Sequence, residues 1–177
     1  MTAIIQSADG WQLQEMTEAG IDELMTWFTR AEDVNTWGGP SFRYPFSRNS
    51  FIEDIHWGRM ASFSLHRPAG ALAAFGQLYE RFGCVNLARL VVNPAMRGAG
   101  VGKKLIEMLM RKGPSLFDSD KFSLFVLRDN IPAFECYKSM GFVVTEYPDQ
   151  MPYADVCYYL TRPARQLSEE KGEDCDK

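Results

Sequence analysis

The sequence predicts an α/β fold in which a mixed, mostly antiparallel sheet of about seven strands is flanked by about four helices. Its 177 residues suit a single domain. Segments with an apolar residue at every second position alternate with segments whose apolar residues recur every three or four positions. Late in the chain a helical segment separates two apolar strand segments, which are therefore expected to run parallel. Together these observations predict one mixed sheet.

The first third of the chain predicts one strand, two helices and an irregular connection. Residues 11–16 alternate apolar and polar side chains, as a strand does, and Thr17 is suited to cap a helix over 18–30. A second helix is predicted over 49–59 from the spacing of its apolar residues. Residues 33–47 between the helices carry two glycines, two prolines and several aromatic side chains, which predicts irregular backbone.

The rest of the chain predicts a meander of strands, then helices that alternate with strands. The further strands are predicted over 61–66, 71–80, 84–92, 121–127, 142–147 and 153–161, and the further helices over 101–112 and 130–140. Gly113 and Pro114 end the helix 101–112 in the order that helix termination prefers. The domain is predicted to span residues 1–162, and the polar tail 163–177 is expected to be disordered.

Composition and charge argue against several classes of protein. The chain has 19 basic and 23 acidic side chains, so no basic surface for nucleic acid is predicted. No apolar run approaches the roughly 18 residues of a membrane span, and residues 1–10 lack a signal-peptide pattern. The four cysteines are scattered without a CxxC pair, and only two histidines occur, so neither a disulfide framework nor a metal site is predicted. A cytoplasmic location without membrane or nucleic-acid partners is expected.

The most informative segment is a glycine-rich turn, Arg97-Gly98-Ala99-Gly100-Val101-Gly102, between the strand 84–92 and the helix 101–112. Glycines let the backbone approach a ligand closely. The first N–H groups of a helix lack carbonyl partners and the helix dipole adds positive charge, so the turn is suited to a phosphate, with the Arg97 side chain as a further donor. A Walker A loop and a dinucleotide fingerprint both fail, because Arg97, Lys103 and Lys104 stand at required positions.

This RxxGxG pattern resembles the acetyl-coenzyme A site of the GNAT superfamily of N-acetyltransferases. A second segment, residues 127–142, is similar to the same family, with Asn130, Ala133, Tyr137 and Gly141-Phe142 at the family's spacing. The resemblance covers residues 11–161 in the order of elements and 84–142 at the level of residues. It implies a GNAT-like domain in which the fourth core strand carries a bulge and splays from its parallel neighbour.

The resemblance also implies an acetyl-coenzyme A-dependent N-acetyltransferase that moves an acetyl group directly to a primary amine. Tyr137 would donate a proton to the departing coenzyme A thiolate. The cofactor would be bound by Leu90, Val91, Val92, Arg97, Gly98, Ala99, Gly100, Val101, Gly102, Lys103, Asn130, Ala133, Phe134 and Tyr137. Structural roles stay open beside these: Asn130 as a helix cap, Phe134 and Tyr137 as packed aromatic residues, and Lys103 as part of a solvated helix face.

The general base is not defined by the resemblance. Some relatives carry a glutamate on the fifth strand, where this sequence has Phe125. Others use a carboxylate on the fourth strand, where this sequence has Asn86 and Arg89. Glu80, at the end of the third strand, is then the candidate base, and ordered water held by backbone carbonyls is the alternative.

The acceptor site of this family usually lies between the first two helices. Trp37, Arg43 and Tyr44 are the candidates there, either for binding a flat or carboxylate-bearing amine or for packing over the core. The acceptor is left open as a small-molecule or peptide amine, and the resemblance allows a homodimer. Two other functions stay open: a catalytically silent acetyl-coenzyme A-binding module and an unrelated phosphate-binding protein.

Overall fold

The structure is a computed structural model that describes residues 4–119 and 121–163. The strands are β1 Ile5–Gln6, β2 Gln12–Glu15, β3 Ala61–His66, β4 Leu72–Arg81, β5 Cys84–Val92, β6 Lys121–Leu127, β7 Val143–Val144 and β8 Cys157–Pro163. The helices are α1 Glu18–Met25, α2 Ala31–Gly38, α3 Arg48–Asp54, α4 Val101–Lys112 and α5 Ile131–Ser139. All of the predicted tail except Pro163 lies outside the described residues.

The strands are hydrogen-bonded in the order β1-β2-β3-β4-β5-β6-β8-β7. The sheet is mixed, because α4 joins the neighbouring strands β5 and β6, whereas β1 to β4 pair in antiparallel succession. The predicted α/β fold with a mixed, mostly antiparallel sheet is confirmed. Eight strands rather than about seven are present, because the two-residue β1 adds an edge strand, and five helices rather than about four, because α2 was not predicted.

The chain divides into two compact units, of which the first comprises residues 4–79 and 87–112. Two of its helices, α1 and α3, begin where local side chains satisfy the first N–H groups. Thr17 accepts a hydrogen bond from the Gly20 N–H, and Ser47 accepts one from the Ser50 N–H in a capping box. The apolar faces of α1 and α3 then bury Ile21 and Phe51 completely in the core.

An aromatic cluster forms the centre of that core. Trp37 stacks on Phe28 with ring centroids 4.4 Å apart and lies 5.8 Å from Phe51 and 6.1 Å from Phe75. Burial of such rings contributes about 2–3 kcal/mol each. The cluster therefore binds α2, α3 and the sheet into one core.

The prediction of irregular backbone throughout residues 33–47 is wrong at its start. Residues 33–38 belong to α2, which has Glu32 and Asp33 in its first turn and buries Val34 completely. Acidic side chains at a helix N-terminus and a buried apolar face both stabilise a helix, and the glycines act only at its end. Gly39, with φ of 87°, ends the helix.

The second unit comprises residues 80–86, 113–119 and 121–163. Strand β8 pairs with β6 over seven residues, from Lys121 opposite Pro163 to Leu127 opposite Cys157, and with β7 on its other side. The predicted last hairpin is thus present, but only Val143–Val144 of its first arm is a strand. Gly113 is required by close packing, because an added Cβ would lie 2.9 Å from the ring of Phe122.

Candidate active site

The glycine-rich turn in the first unit has the backbone that its sequence predicts. Gly98 and Gly100 adopt φ angles of 77° and 76°, a region that other residues enter only at a cost. A Cβ atom added at either glycine would meet no atom within 4 Å. Conformation rather than crowding therefore requires glycine at these two positions, and the space in front of them is open.

The backbone N–H groups of the turn are unpaired. Within residues 4–119 and 121–163, none of the N–H groups from Arg97 to Lys103 donates a hydrogen bond, and the first helical bond runs from the Lys104 N–H to the Gly100 carbonyl at 3.2 Å. Gly102 lies against strand β5, where an added Cβ would be 3.7 Å from the Val92 side chain. The start of α4 therefore presents several donors and a positive dipole to a ligand.

The basic side chains around the turn differ in what they contact. Arg97 and Lys103 are exposed, whereas Lys104 is half-buried and pairs with Asp9 at 2.9 Å. The pKa of Asp33 lies below its ordinary value, chiefly because Arg30 donates to it, and Arg97 contributes to the same lowering. Arg97 and Lys103 are thus the cationic side chains that an anion at the turn could meet.

Strand β5 is interrupted immediately before the turn. Arg89 has φ of 47° within the strand, and the Trp37 indole N–H donates to the Arg89 carbonyl at 2.7 Å. A left-handed residue inside a strand is typical of a bulge, which reorients the backbone groups that follow. The interruption at Arg89 lies in the strand where the family resemblance implies a bulge, two residues before Val91.

Helix α5 of the second unit carries the other predicted cofactor residues. Asn130 is its N-cap and accepts a hydrogen bond from the Ala133 N–H at 3.4 Å. The cap uses only the side-chain oxygen, so the amide NH₂ can still donate to a ligand. Phe134 lies against Tyr158, with ring centroids 4.8 Å apart, and is half-buried.

Tyr137 lies two turns after Asn130 on the same helix, and its side chain is half-buried. Its ring meets that of Phe142 edge-on at 6.3 Å. Burial raises the pKa of the phenol, and the neighbouring Cys136 adds to the rise. In the described part of the chain the hydroxyl makes no hydrogen bond, so Tyr137 is a protonated phenol whose donor is not engaged by the protein.

The candidate base and the candidate acceptor-binding residues are either exposed or already engaged in contacts within the protein. Glu80 is an exposed residue at the end of β4 in the second unit. In the first unit, Trp37 belongs to the aromatic core, and the Tyr44 hydroxyl donates to the Thr29 carbonyl at 2.8 Å. The Arg43 guanidinium donates to Asp54 and Glu53, at 2.8 and 2.7 Å. These contacts attach the connection after α2 to α3.

The ion pair of Arg43 allows a prediction about pH. Hydrogen bonds from Arg43 hold the pKa of Asp54 below the unfolded value of 3.8, so the stability gained is present above that pH and is lost as pH falls through the lower folded pKa. We expect Asp54→Asn to lower Tm at pH 7 by about 2–4 °C and the gap to the wild type to close below about pH 3. A gap that is constant with pH would contradict this. Glu53→Gln, at a side chain with 66% exposure, should have the smaller effect.

Arg89 is a residue without a predicted role, and the structure brings its carbonyl into contact with the acceptor candidate Trp37. The signal that could have found it is a charged residue inside the apolar strand 84–92. Such a residue is buried unless the strand bulges, and a buried charge needs a partner.

Fold and turn together define an α/β protein with a helix N-terminus that is suited to a phosphate-bearing ligand. The chain matches the model of the acetyltransferase (GNAT) family over residues 22–142. Because this match covers more than half of the sequence, the chain belongs to the GNAT family.

Solved structures share the fold. One is spermidine N-acetyltransferase from Vibrio cholerae in complex with CoA and spermine, with 14% identity, a TM-score of 0.69, and coverage of 90% of this chain and 98% of that one. Another is the ribosomal-protein-S18-alanine N-acetyltransferase from Escherichia coli, with 19% identity, a TM-score of 0.61, and coverage of 87% and 94%. These likenesses support the fold.

Family membership makes the chain an acyltransferase that uses acetyl-coenzyme A. The residues fit that cofactor, because the turn offers unpaired N–H groups, open space at Gly98 and Gly100, and a free Arg97 side chain to a diphosphate. The described helices include none with the length and apolar character to cross a membrane. Nor do the described residues bring together three or more side chains suited to hold a metal ion.

Proposed function

We propose that the protein transfers an acetyl group from acetyl-coenzyme A directly to a primary amine, with Tyr137 as the general acid. The observation that carries the proposal is the set of unpaired N–H groups from Arg97 to Lys103 at the start of α4. A glycine-rich helix start with free amides and an adjacent arginine is suited to a diphosphate. The family resemblance assigns both this turn and helix α5 to the same cofactor.

The cofactor supplies an acetyl thioester. In the first unit the backbone amides of residues 97–103 hold its diphosphate, and the backbone of Leu90, Val91 and Val92, after the bulge, binds the pantetheine arm and polarises the acetyl carbonyl. In the second unit the amide group of Asn130 donates to the arm, and Ala133 and Phe134 line it. The half-burial of all three side chains is consistent with this role.

Tyr137 holds a proton at its hydroxyl until the thiolate leaves. A phenol whose pKa is raised by burial stays protonated across neutral pH, which a general acid requires. Its hydroxyl is not occupied by another residue of the described chain, so it can turn toward a ligand sulfur. Glu80 or ordered water accepts the amine proton, because direct transfer needs an uncharged amine.

The acceptor is a small-molecule or peptide amine, for which Trp37, Arg43 and Tyr44 are the candidate binding residues. Of the two similar enzymes, one is in complex with spermine and the other is named for alanine of ribosomal protein S18. A further similar structure, of spermidine N-acetyltransferase from Vibrio cholerae, is dodecameric, which supports self-association, and a homodimer is our proposal for this chain. We propose a cytoplasmic location on the basis of the reduced, scattered cysteines.

A catalytically silent acetyl-coenzyme A-binding module is the second candidate. It is favoured by the positions on the fifth and fourth strands where relatives carry a carboxylate base, because this chain has Phe125 on the former and Asn86 and Arg89 on the latter. The unengaged Tyr137 hydroxyl favours the enzyme instead.

The test is release of the coenzyme A thiol over a panel of polyamines, amino acids, aminoglycosides and peptides with free N-termini. The enzyme is supported by turnover with at least one amine that exceeds hydrolysis in the absence of amine. Tight binding of acetyl-coenzyme A without turnover on any of them would support the silent module. Heat protection by ATP or NAD but not by acetyl-coenzyme A would overturn both.

A further inference from the structure

Arg89 is a largely buried charge that the proposed function leaves without a role. It lies at the bulge of β5 in the first unit, and its side chain turns toward the layer that contains α3. Nη1 donates to the Gln77 side-chain oxygen at 3.0 Å and lies 3.3 Å from the Met60 sulfur. Gln77 is completely buried and donates in turn to the Ile55 carbonyl and the Ser62 hydroxyl, so this acceptor is fixed in place.

The described part of the chain supplies no carboxylate partner for this charge. Across residues 4–119 and 121–163, no carboxylate lies within ion-pair distance of Arg89. Burial lowers the pKa of its guanidinium, whereas Tyr79 and, to a smaller extent, Asp54 raise it. Asp54 is itself bound to Arg43. A desolvated charge without a counterion is costly, so an anion that binds there would be favoured.

The unpaired donors of Arg89 have the geometry of a carboxylate site. Nε is buried and has no hydrogen-bond partner, whereas Nη2 makes no hydrogen bond within the described chain and is not enclosed. Nε and Nη2 form one edge of the guanidinium, and this edge can bind a carboxylate through two parallel hydrogen bonds. The free edge therefore begins in the interior and reaches solvent.

The position of Arg89 along the strand places this edge close to the proposed chemistry. Arg89 precedes Val91 by two residues, which corresponds to about 7 Å of strand. The Trp37 indole N–H donates a hydrogen bond of 2.7 Å to the Arg89 carbonyl. Trp37, a candidate for binding the acceptor, therefore holds the strand in place at Arg89. Two groups this close along the strand favour an acceptor whose carboxylate and amine are only a few bonds apart, as in an amino acid.

On the basis of the proposed function, we propose that Arg89 binds the carboxylate of the acceptor, which is therefore an α-amino acid or a similar amine with a nearby carboxylate rather than a polyamine. The guanidinium orients the acceptor while the new N–C bond forms and the C–S bond breaks. The amine proton passes to water or to Glu80, and the sulfur takes the proton of Tyr137. A polyamine would instead bring its second cation toward Arg89, which is repulsive.

The experiment compares the α-amino acids with their carboxamides and with spermidine, in the wild type, Arg89→Gln and Arg89→Lys. Coenzyme A release gives kcat/KM, and calorimetric titration of the same compounds into the protein gives Kd without need of turnover. We expect the best amino acid to exceed its carboxamide by about 10- to 100-fold in the wild type. That ratio should fall to about one in Arg89→Gln. It should recover only partly in Arg89→Lys, because lysine keeps the positive charge but cannot form the two parallel hydrogen bonds of a guanidinium. Arg48→Gln, which removes an exposed arginine paired with Asp22, is the matched control and should keep the ratio.

The outcomes separate this inference from the proposed function. Turnover of carboxamides or spermidine at least as fast as of any amino acid would overturn the inference and leave the N-acetyltransferase standing. Selective binding of an amino acid that depends on Arg89, without turnover, would support the inference and contradict the enzyme. A preference for acids that persists in a folded Arg89→Gln protein would also overturn it. Unfolding of Arg89→Gln would leave Arg89→Lys and the wild-type comparison to decide.

Discussion

Gly100→Leu is expected to abolish binding of acetyl-coenzyme A in a protein that still folds. Gly100 has φ of 76°, and nothing lies within 4 Å of the position of an added Cβ. The leucine side chain would therefore project into the open space in front of the turn, where the diphosphate is proposed to lie. The strained backbone costs about 1–2 kcal/mol, which a domain of this size can tolerate. We expect Kd for acetyl-coenzyme A, measured by calorimetry, to rise by at least about 100-fold, because loss of charge-assisted hydrogen bonds costs several kcal/mol.

A matched control separates strain from occlusion. Gly70, in the turn between β3 and β4, has φ of 89° and likewise has no atom within 4 Å of an added Cβ. Gly70→Leu should lower Tm about as much as Gly100→Leu and leave the affinity for acetyl-coenzyme A unchanged. Retained affinity in Gly100→Leu would reject the placement of the diphosphate at this turn, and equal loss in both variants would indicate a global effect.

Tyr137→Phe is expected to reduce kcat by about 10²- to 10⁴-fold, the usual contribution of a general acid. The affinity for acetyl-coenzyme A should change little, because the ring that packs against Phe142 is kept. Stability should also be nearly unchanged, because the hydroxyl has no partner in the described chain whose loss would leave a group unpaired. The measurements are steady-state kinetics with a saturating amine, calorimetric Kd and thermal unfolding.

Tyr147→Phe is the matched control in the same unit. Its hydroxyl donates to the Cys157 carbonyl at 2.8 Å, so its removal should cost about 1 kcal/mol of stability without loss of kcat. If Tyr137→Phe instead lowers kcat and cofactor affinity by the same factor, Tyr137 is a packing residue. A full rate in Tyr137→Phe would assign the proton to another donor.

Much of the fold could be predicted, because many helix and strand boundaries depend on residues that are close together in the sequence. The bounds of β5, α4 and β6 agree with those expected from apolar periodicity and from the glycine and proline that follow α4. The start of α5 at Asn130 and Pro132 likewise follows from capping chemistry. The first arm of the last hairpin is shorter than predicted, because only Val143 and Val144 pair with β8. Both valines are exposed at the edge of the sheet, and the alternation of apolar and polar residues in the sequence does not reveal an edge position.

Helix α2 could not be predicted, because its stability comes from distant residues. The glycines and prolines after it suggested irregular backbone, but Trp37 reaches Phe51 and Phe75, which are far away in sequence. Burial of these rings outweighs the weak helix propensity of the segment. The ion pair of Arg43 with Asp54 depends in the same way on the packing of α3.

The sequence alone determined the parts of this protein that depend on chain-local chemistry: the order of the elements, the glycine-rich start of α4 and the spacing of Asn130 and Tyr137 on α5. Tertiary structure decided which polar groups are engaged, because a hydrogen bond or an ion pair depends on what folding brings near. It pairs Arg43 with Asp54 and Glu53. It also leaves the N–H groups of the turn unpaired and buries the Nε atom of Arg89 without a hydrogen-bond partner in the described chain.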